Sequence, residues 1–251
     1  MDRAKQIWEN LGQNDPYFAV STYDDFRREY MDDAARERFF RSGRDYVERL
    51  WSDIERGFDI SFSPERSLDY GCGVGRVLIP LSEKSVIAVG VDISEAMLDE
   101  ARTNCREFDV ANVEFQDQQR FLAQVPEKYD FVHSYIVLQH VTPKVGIPII
   151  RKMLKGLIAD GVGMIHVTFN DPSRGFSRFR ARLYRDVPLV HRVVSAIRGR
   201  DDRFMPMYEY DLNKVFRILS ENNCRDVFVR YSDHGSLGAM IFFRKAGAEI
   251  Y

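Results

Sequence analysis

Long apolar runs are missing from this 251-residue chain. No stretch approaches the roughly 20 apolar residues that a membrane-spanning helix needs. Cysteine is scarce: Cys72, Cys105 and Cys224 stand far apart with no CxxC pair, which argues against a disulfide framework or a cysteine zinc site and fits a reducing compartment. Charge of one sign is lacking too, since 36 basic residues against 38 acidic ones leave a net −2. Nothing global therefore draws the chain toward nucleic acid. The opening stretch MDRAKQIWENLGQNDPY is polar and charged where a signal peptide would be apolar. The expectation is a soluble, cytoplasmic protein without repeats or low-complexity segments.

What is present is a core-forming composition, 45% apolar, enough for one large domain with additions. Residues 1–63 read as a helical, aromatic cap. Phe39, Gly43, Tyr46, Val47, Leu50, Trp51, Ile54 and Phe58 recur at three- and four-residue spacing, one face of a helix. From Ser67 strands and helices alternate. SLDY, VIAVGVD, NVEF, YDFVHSY and GVGMIHVTF are the strands. GRVLIPLSEK, SEAMLDEARTNCREF (with Met97, Ala101, Cys105 and Phe108 on one face) and TPKVGIPIIRKMLKGLIADG are the helices. The pattern predicts an α/β, doubly wound parallel sheet covered on both faces, with a domain over 64–251. Residues 170–207 interrupt it as an insertion. The helix DLNKVFRILSENN follows, with Leu212, Val215, Phe216 and Leu219 inward, and then DVFVRYS and AMIFFRK. The short DHGSLG link permits only a hairpin, so the last of seven strands should be antiparallel.

The stretch SLDYGCGVGRVLIPLS places three alternating glycines between a strand and a helix. A P-loop needs Lys and then Ser or Thr after its glycines, and Arg76 and Val77 stand there instead. The dinucleotide fingerprint needs its third glycine where Arg76 lies, while Gly75 comes one residue early. Asp69, Gly71, Gly73 and Gly75 resemble the (D/E)xGxGxG motif of the class I S-adenosylmethionine-dependent methyltransferases, small-molecule type. The resemblance implies a Rossmann-like sheet and S-adenosylmethionine as cofactor. It implies that Asp69 orders the loop or accepts from the cofactor's ammonium, and that Asp92 accepts from the ribose hydroxyls. Ile93 and Met97 would then flank the adenine, Asp117 and Gln118 would meet its edge, and Ser134 and Tyr135 would line the cofactor. The likeness covers residues 64–169 well and 208–245 by pattern only.

Methyl transfer needs an aligned acceptor and, for a hydroxyl, a base. His140, after the fourth strand, is either that base or a packing residue. Asp233 and His234 are either an orienter–base couple or ordinary turn residues, and His166 reads as a satisfied core residue. Metal is not expected: Asn170–Asp171 suits one half of a Mg²⁺ site, but the fourth strand offers His133 or Ser134 where an acid belongs. The insertion is rich in Arg and has no Lys over 174–200. Arg178, Arg182 and Arg185, with Tyr208, are the candidate contacts to an anionic or sugar-containing acceptor. The segment 183–200 could instead lie on a membrane surface. An N-methyltransferase of a small amine and a non-catalytic cofactor-binding partner are the alternatives.

Overall fold

The strands β1 (Arg66–Tyr70), β2 (Ile87–Asp92), β3 (Val113–Asp117), β4 (Tyr129–Ser134), β5 (Leu157–Asn170), β6 (Cys224–Asp233) and β7 (Leu237–Lys245) join in one sheet of order 3-2-1-4-5-7-6. The computed structural model describes residues 3–124, 128–170, 207–233 and 236–247. β1 to β5 pair in parallel, and β7 runs antiparallel to both β5 and β6. The seven-stranded, Rossmann-like sheet with its reversed last strand is the one expected. Strand order reverses between β1 and β4, so their carboxyl ends frame the crevice in which such sheets bind ligands.

Helices α1 (Arg3–Asn14), α2 (Pro16–Val20) and α3 (Asp33–Phe58) precede the sheet. The remaining helices are α4 (Leu78–Ser82), α5 (Glu95–Glu107), α6 (Gln118–Ala123), α7 (Pro143–Gly156) and α8 (Leu212–Glu221). Asp32 caps α3 by accepting from the Ala35 amide, and Asp59 ends it in the left-handed region at φ 52°. Every residue of the expected α3 face is buried. That face packs on Phe131, Val162, Met164 and Phe242 of the sheet and on Val77 and Leu81. The opposite face carries Ile149, Ile150, Met153 and Leu154 of α7 with Val215, Ile218 and Leu219 of α8. Each such side chain contributes about 1.5–3 kcal/mol by leaving water.

Four local expectations need correction. The helix after the glycines is one short piece, Leu78–Ser82, because the turn itself consumes the residues before it. The helix expected over 142–161 stops at Gly156, and Leu157 pairs with Tyr129 as the start of β5. Leu157 is 1% exposed there, so burial in the sheet outweighs its helix propensity. In α8 the inward position belongs to Ile218, and Phe216 is 38% exposed. Phe108 sits at the C-cap of α5, 40% exposed, with its ring 4.7 Å from that of Phe40.

Candidate functional site

Gly71, Gly73 and Gly75 all hold positive φ, at 81°, 53° and 88°, a region closed to most side chains. The turn is also crowded: a Cβ on Gly71 would lie 2.3 Å from Val137, and one on Gly73 would lie 2.8 Å from Val20. The amides of Gly71 and Cys72 donate to the Val91 carbonyl at 2.7 and 3.1 Å, fastening the turn to the end of β2. There Asp92 accepts from the Gly73 amide at 2.9 Å and from the Ser94 amide at 3.0 Å. Burial pushes its carboxyl up to about 6, against the opposing pull of those amides. Such a carboxylate gains from further donors.

The other expected cofactor residues fall around this turn. Asp92 and Asp117 are register partners at neighbouring strand ends. Asp117 also caps α6, accepting from the Gln119 and Arg120 amides, and Gln118 donates to the Tyr70 hydroxyl at 2.6 Å. Ile93 is half-buried. Met97, 2% exposed, packs with Val74 and Ile79 in the layer beneath. Ser134 is fully buried and donates to the Tyr70 carbonyl at 3.0 Å, so its hydroxyl faces the sheet. Tyr135 is half-buried, and its ring stacks on Tyr46 at 4.3 Å. The next residue, Ile136, sits at φ 58°. A β-branched residue there costs about 1–3 kcal/mol, strain of the kind that collects at functional sites.

His140 is half-buried at the end of the short turn Leu138–His140. Its Nε2 lies 3.1 Å from the Gln139 amide nitrogen. Thr168 donates to the Gln139 oxygen at 3.3 Å, which orients that amide as a donor to the imidazole. Tyr208 joins from beyond the insertion, its backbone amide donating to the Gln139 carbonyl at 2.7 Å. His166 is 1% exposed and bonds Ser232 at 2.7 Å, as a core residue would. Asp233 is exposed and belongs to the end of β6 instead of the turn. His234 and the arginines 178, 182 and 185 lie outside the described residues, as does the 183–200 segment. Among the described residues no group of three or more His, Cys, Asp or Glu side chains is placed to hold a metal, and no helix is long and apolar enough to cross a membrane.

Three parts of the site were not legible in the sequence. The first is a buried chain in which Asp69 lies 2.7 Å from Nδ1 of His133, whose Nε2 lies 2.8 Å from the Tyr46 hydroxyl. With Asp69 ionised, Nδ1 carries the proton and Tyr46 donates to Nε2. Asp69 and His133 meet because they are register partners on β1 and β4, and a sequence does not state which strands pair. The second part is Arg76, whose buried Nε has no hydrogen-bond partner among the described residues. The third is α1, which lies across the top. Glu9 accepts from the Ser94 hydroxyl at 2.9 Å and the Ala96 amide at 3.4 Å, and the Trp8 ring meets His140 edge-on at 5.4 Å.

Residues 68–161 match a family model described as a methyltransferase domain. The magnesium-protoporphyrin O-methyltransferase of Synechocystis sp. is 39% identical over 72 residues, 29% of this chain and 31% of that protein. The ubiquinone biosynthesis O-methyltransferase of Coxiella burnetii is 28% identical over 129 residues, half of each chain. The chain thus spans between about a third and a half of the curated relatives it matches. The crystal structure of the Synechocystis enzyme with bound S-adenosylhomocysteine superposes over 96% of this chain and 100% of its own, with TM-score 0.59 and 22% identity. The N-methyltransferase NodS of Bradyrhizobium japonicum, in complex with the same ligand, superposes over 97% and 99%, with TM-score 0.59 and 12% identity. At those identities the structures establish a shared fold.

Proposed function

We propose that this chain, which belongs to the class I S-adenosylmethionine-dependent methyltransferase family through residues 68–161, methylates a small-molecule acceptor at a hydroxyl, the acceptor being anionic or sugar-containing. The observation that carries the reading is the glycine turn beside Asp92, at the point where strand order reverses. Its residues fit the cofactor. Three glycines leave the backbone open to close approach, and Asp92 is a half-buried carboxylate with lone pairs to spare for the ribose hydroxyls.

S-adenosylmethionine supplies a methyl group on a sulfonium that is already activated for displacement. The chain has then to align the acceptor, exclude water and move one proton. Alignment and exclusion fall to the crevice between β1 and β4 and to α1 above it. His140 takes the hydroxyl proton on Nε2. The amide of Gln139 occupies that lone pair in this structure, so it must yield to the acceptor. Support for an anionic acceptor comes from the Arg-rich insertion and from Arg76. Oxygen as the methylated atom is favoured by a base within the crevice. The similarity of fold to an N-methyltransferase keeps a small amine as the second reading.

Calorimetry with S-adenosylhomocysteine and label transfer from S-adenosylmethionine to a panel of hydroxylated acids and sugars test the proposal. The expected result is binding by the wild type and, with an acceptor in hand, a fall of about 10²–10⁴ in kcat for His140→Ala with cofactor affinity retained. A protein that does not bind S-adenosylhomocysteine would end the reading. A loss of less than tenfold in His140→Ala would leave proximity alone as the source of catalysis.

A further inference from the structure

Arg76 leaves the glycine turn toward α3. A Cβ on Gly43 would lie only 2.0 Å from the Arg76 carbonyl oxygen, so helix and turn are in direct contact and the base of the side chain is pinned. One guanidinium nitrogen, Nη1, reaches the Ser42 hydroxyl at 3.3 Å. The buried Nε has no hydrogen-bond partner among the described residues. Tyr46, Tyr135 and Asp69 are the groups whose charge or dipole it feels, and burial lowers its pKa. Asp69 does not serve as its ion-pair partner, because that carboxylate lies against His133 at 2.7 Å. With Nδ1 of His133 protonated, the Tyr46 hydroxyl donates to Nε2 at 2.8 Å, which leaves its oxygen able to act toward the cation only as an acceptor. The guanidinium is reached by water at Nη1, but its buried Nε meets no acceptor among the described residues, and a buried donor left unmade is costly. Arg49, on the same helix as Tyr46, adds positive potential at both tyrosines.

We propose that Arg76 is an anion receptor of the transfer crevice, its guanidinium taking a carboxylate or phosphate of a small molecule bound beside Tyr46 and Tyr135. The proposal rests on the methyltransferase reading for the identity of the crevice. The planar fork of Arg suits two oxygens of one anion, which a lysine at this position would hold less well. Two guests have this chemistry: the amino-acid carboxylate of the cofactor, and an acidic group of the acceptor.

The experiment compares wild type, Arg76→Gln and Arg76→Lys by calorimetry, with thermal melts as the control for folding. Three probes are used: S-adenosylhomocysteine, 5′-methylthioadenosine (which keeps the nucleoside and lacks the carboxylate), and benzoate or inorganic phosphate added to protein saturated with S-adenosylhomocysteine. If the guest is the cofactor's carboxylate, Arg76→Gln loses about tenfold or more in S-adenosylhomocysteine affinity and none for 5′-methylthioadenosine. If it is the acceptor's, cofactor affinity holds and binding of benzoate or phosphate is lost. Arg76→Lys, charge kept and fork removed, should fall between and serves alone should the Gln variant fail to fold. Equal loss for both nucleosides would make Arg76 a prop of the glycine turn and overturn the proposal. So would no change with any probe. Either result leaves the cofactor assignment standing, whereas failure of the wild type to bind S-adenosylhomocysteine removes that assignment first.

Discussion

Asp92 shows how one residue carries opposed demands. Its carboxyl is raised from an ordinary value of about 3.9 to about 6 by burial. The folded protein therefore binds more protons than the unfolded chain between about pH 4 and pH 6. Stability from this group falls as pH rises through that window, and the cost persists above it. Asp92→Asn has one acceptor oxygen for two amides and loses a hydrogen bond, so the readout is the pH dependence: the wild type should lose stability relative to the variant as pH rises from 4 to 6. On the proposed role of Asp92 toward the ribose hydroxyls, the same change should weaken S-adenosylhomocysteine by roughly 10- to 100-fold, since the acceptor loses its charge. For the wild type, that affinity should itself decline as pH drops below about 6. Melts and titrations at several pH values check all three, and a stability difference between wild type and variant that stays constant from pH 4 to pH 6 would contradict the raised carboxyl. This carboxylate was legible as a strand-end acid after a glycine turn. Its burial and its hydrogen bond to Gly73 were not, because both depend on the turn folding back over the strand.

At the scale of elements, α1 docks on α5 and sets Trp8 against His140. Gly12 lets it dock: a Cβ there would stand 3.0 Å from both the Ala96 methyl and the Ser94 hydroxyl, tight contacts at the N-terminus of α5. Gly12→Leu should lift the helix without unfolding the sheet. Stopped-flow exchange is expected to show faster release of S-adenosylhomocysteine, with the melting temperature nearly unchanged. Trp8, packed on His140, gives a fluorescence signal for the same motion. Unaltered release in Gly12→Leu would mean that α1 does not close the site. Sequence periodicity found the face of α3 from Phe39 to Phe58, because its apolar residues repeat without interruption there, and missed the first turns with Ala35. It misplaced the end of α7, where Leu157 suits a helix locally and is recruited by Tyr129 across the sheet.

For the whole molecule, net charge is close to neutral at −2, so attraction of an anionic acceptor has to be local. Neutralising Arg178, Arg182 and Arg185 together should raise the acceptor KM severalfold and leave S-adenosylhomocysteine affinity unchanged. Added salt should mimic the change if attraction is electrostatic, since charges in water are screened over about 8–10 Å. Loss of binding to anionic vesicles, with KM intact, would assign the segment to a membrane surface instead. This test reaches residues outside the described structure, and it bears on specificity alone.

Sequence by itself determined the strands β1 to β5 and the helices α4, α5 and α7 between them, though not α6, together with the reversed last strand and the glycine turn with its strand-end acids. These are local facts: apolar period, a two-stranded link too short for a crossover, and backbone conformations that only glycine adopts readily. Only the tertiary structure decided what the charged and polar groups do with one another. Strand register set His133 against Asp69. Packing of α3 brought Tyr46 to complete that chain, and Arg76 Nε is buried beside it without a partner among the described residues. Folding of α1 over α5 set Glu9 on Ser94 and Trp8 on His140. Each contact joins residues far apart in the chain, and their meeting depends on how every layer packs, which no local pattern encodes.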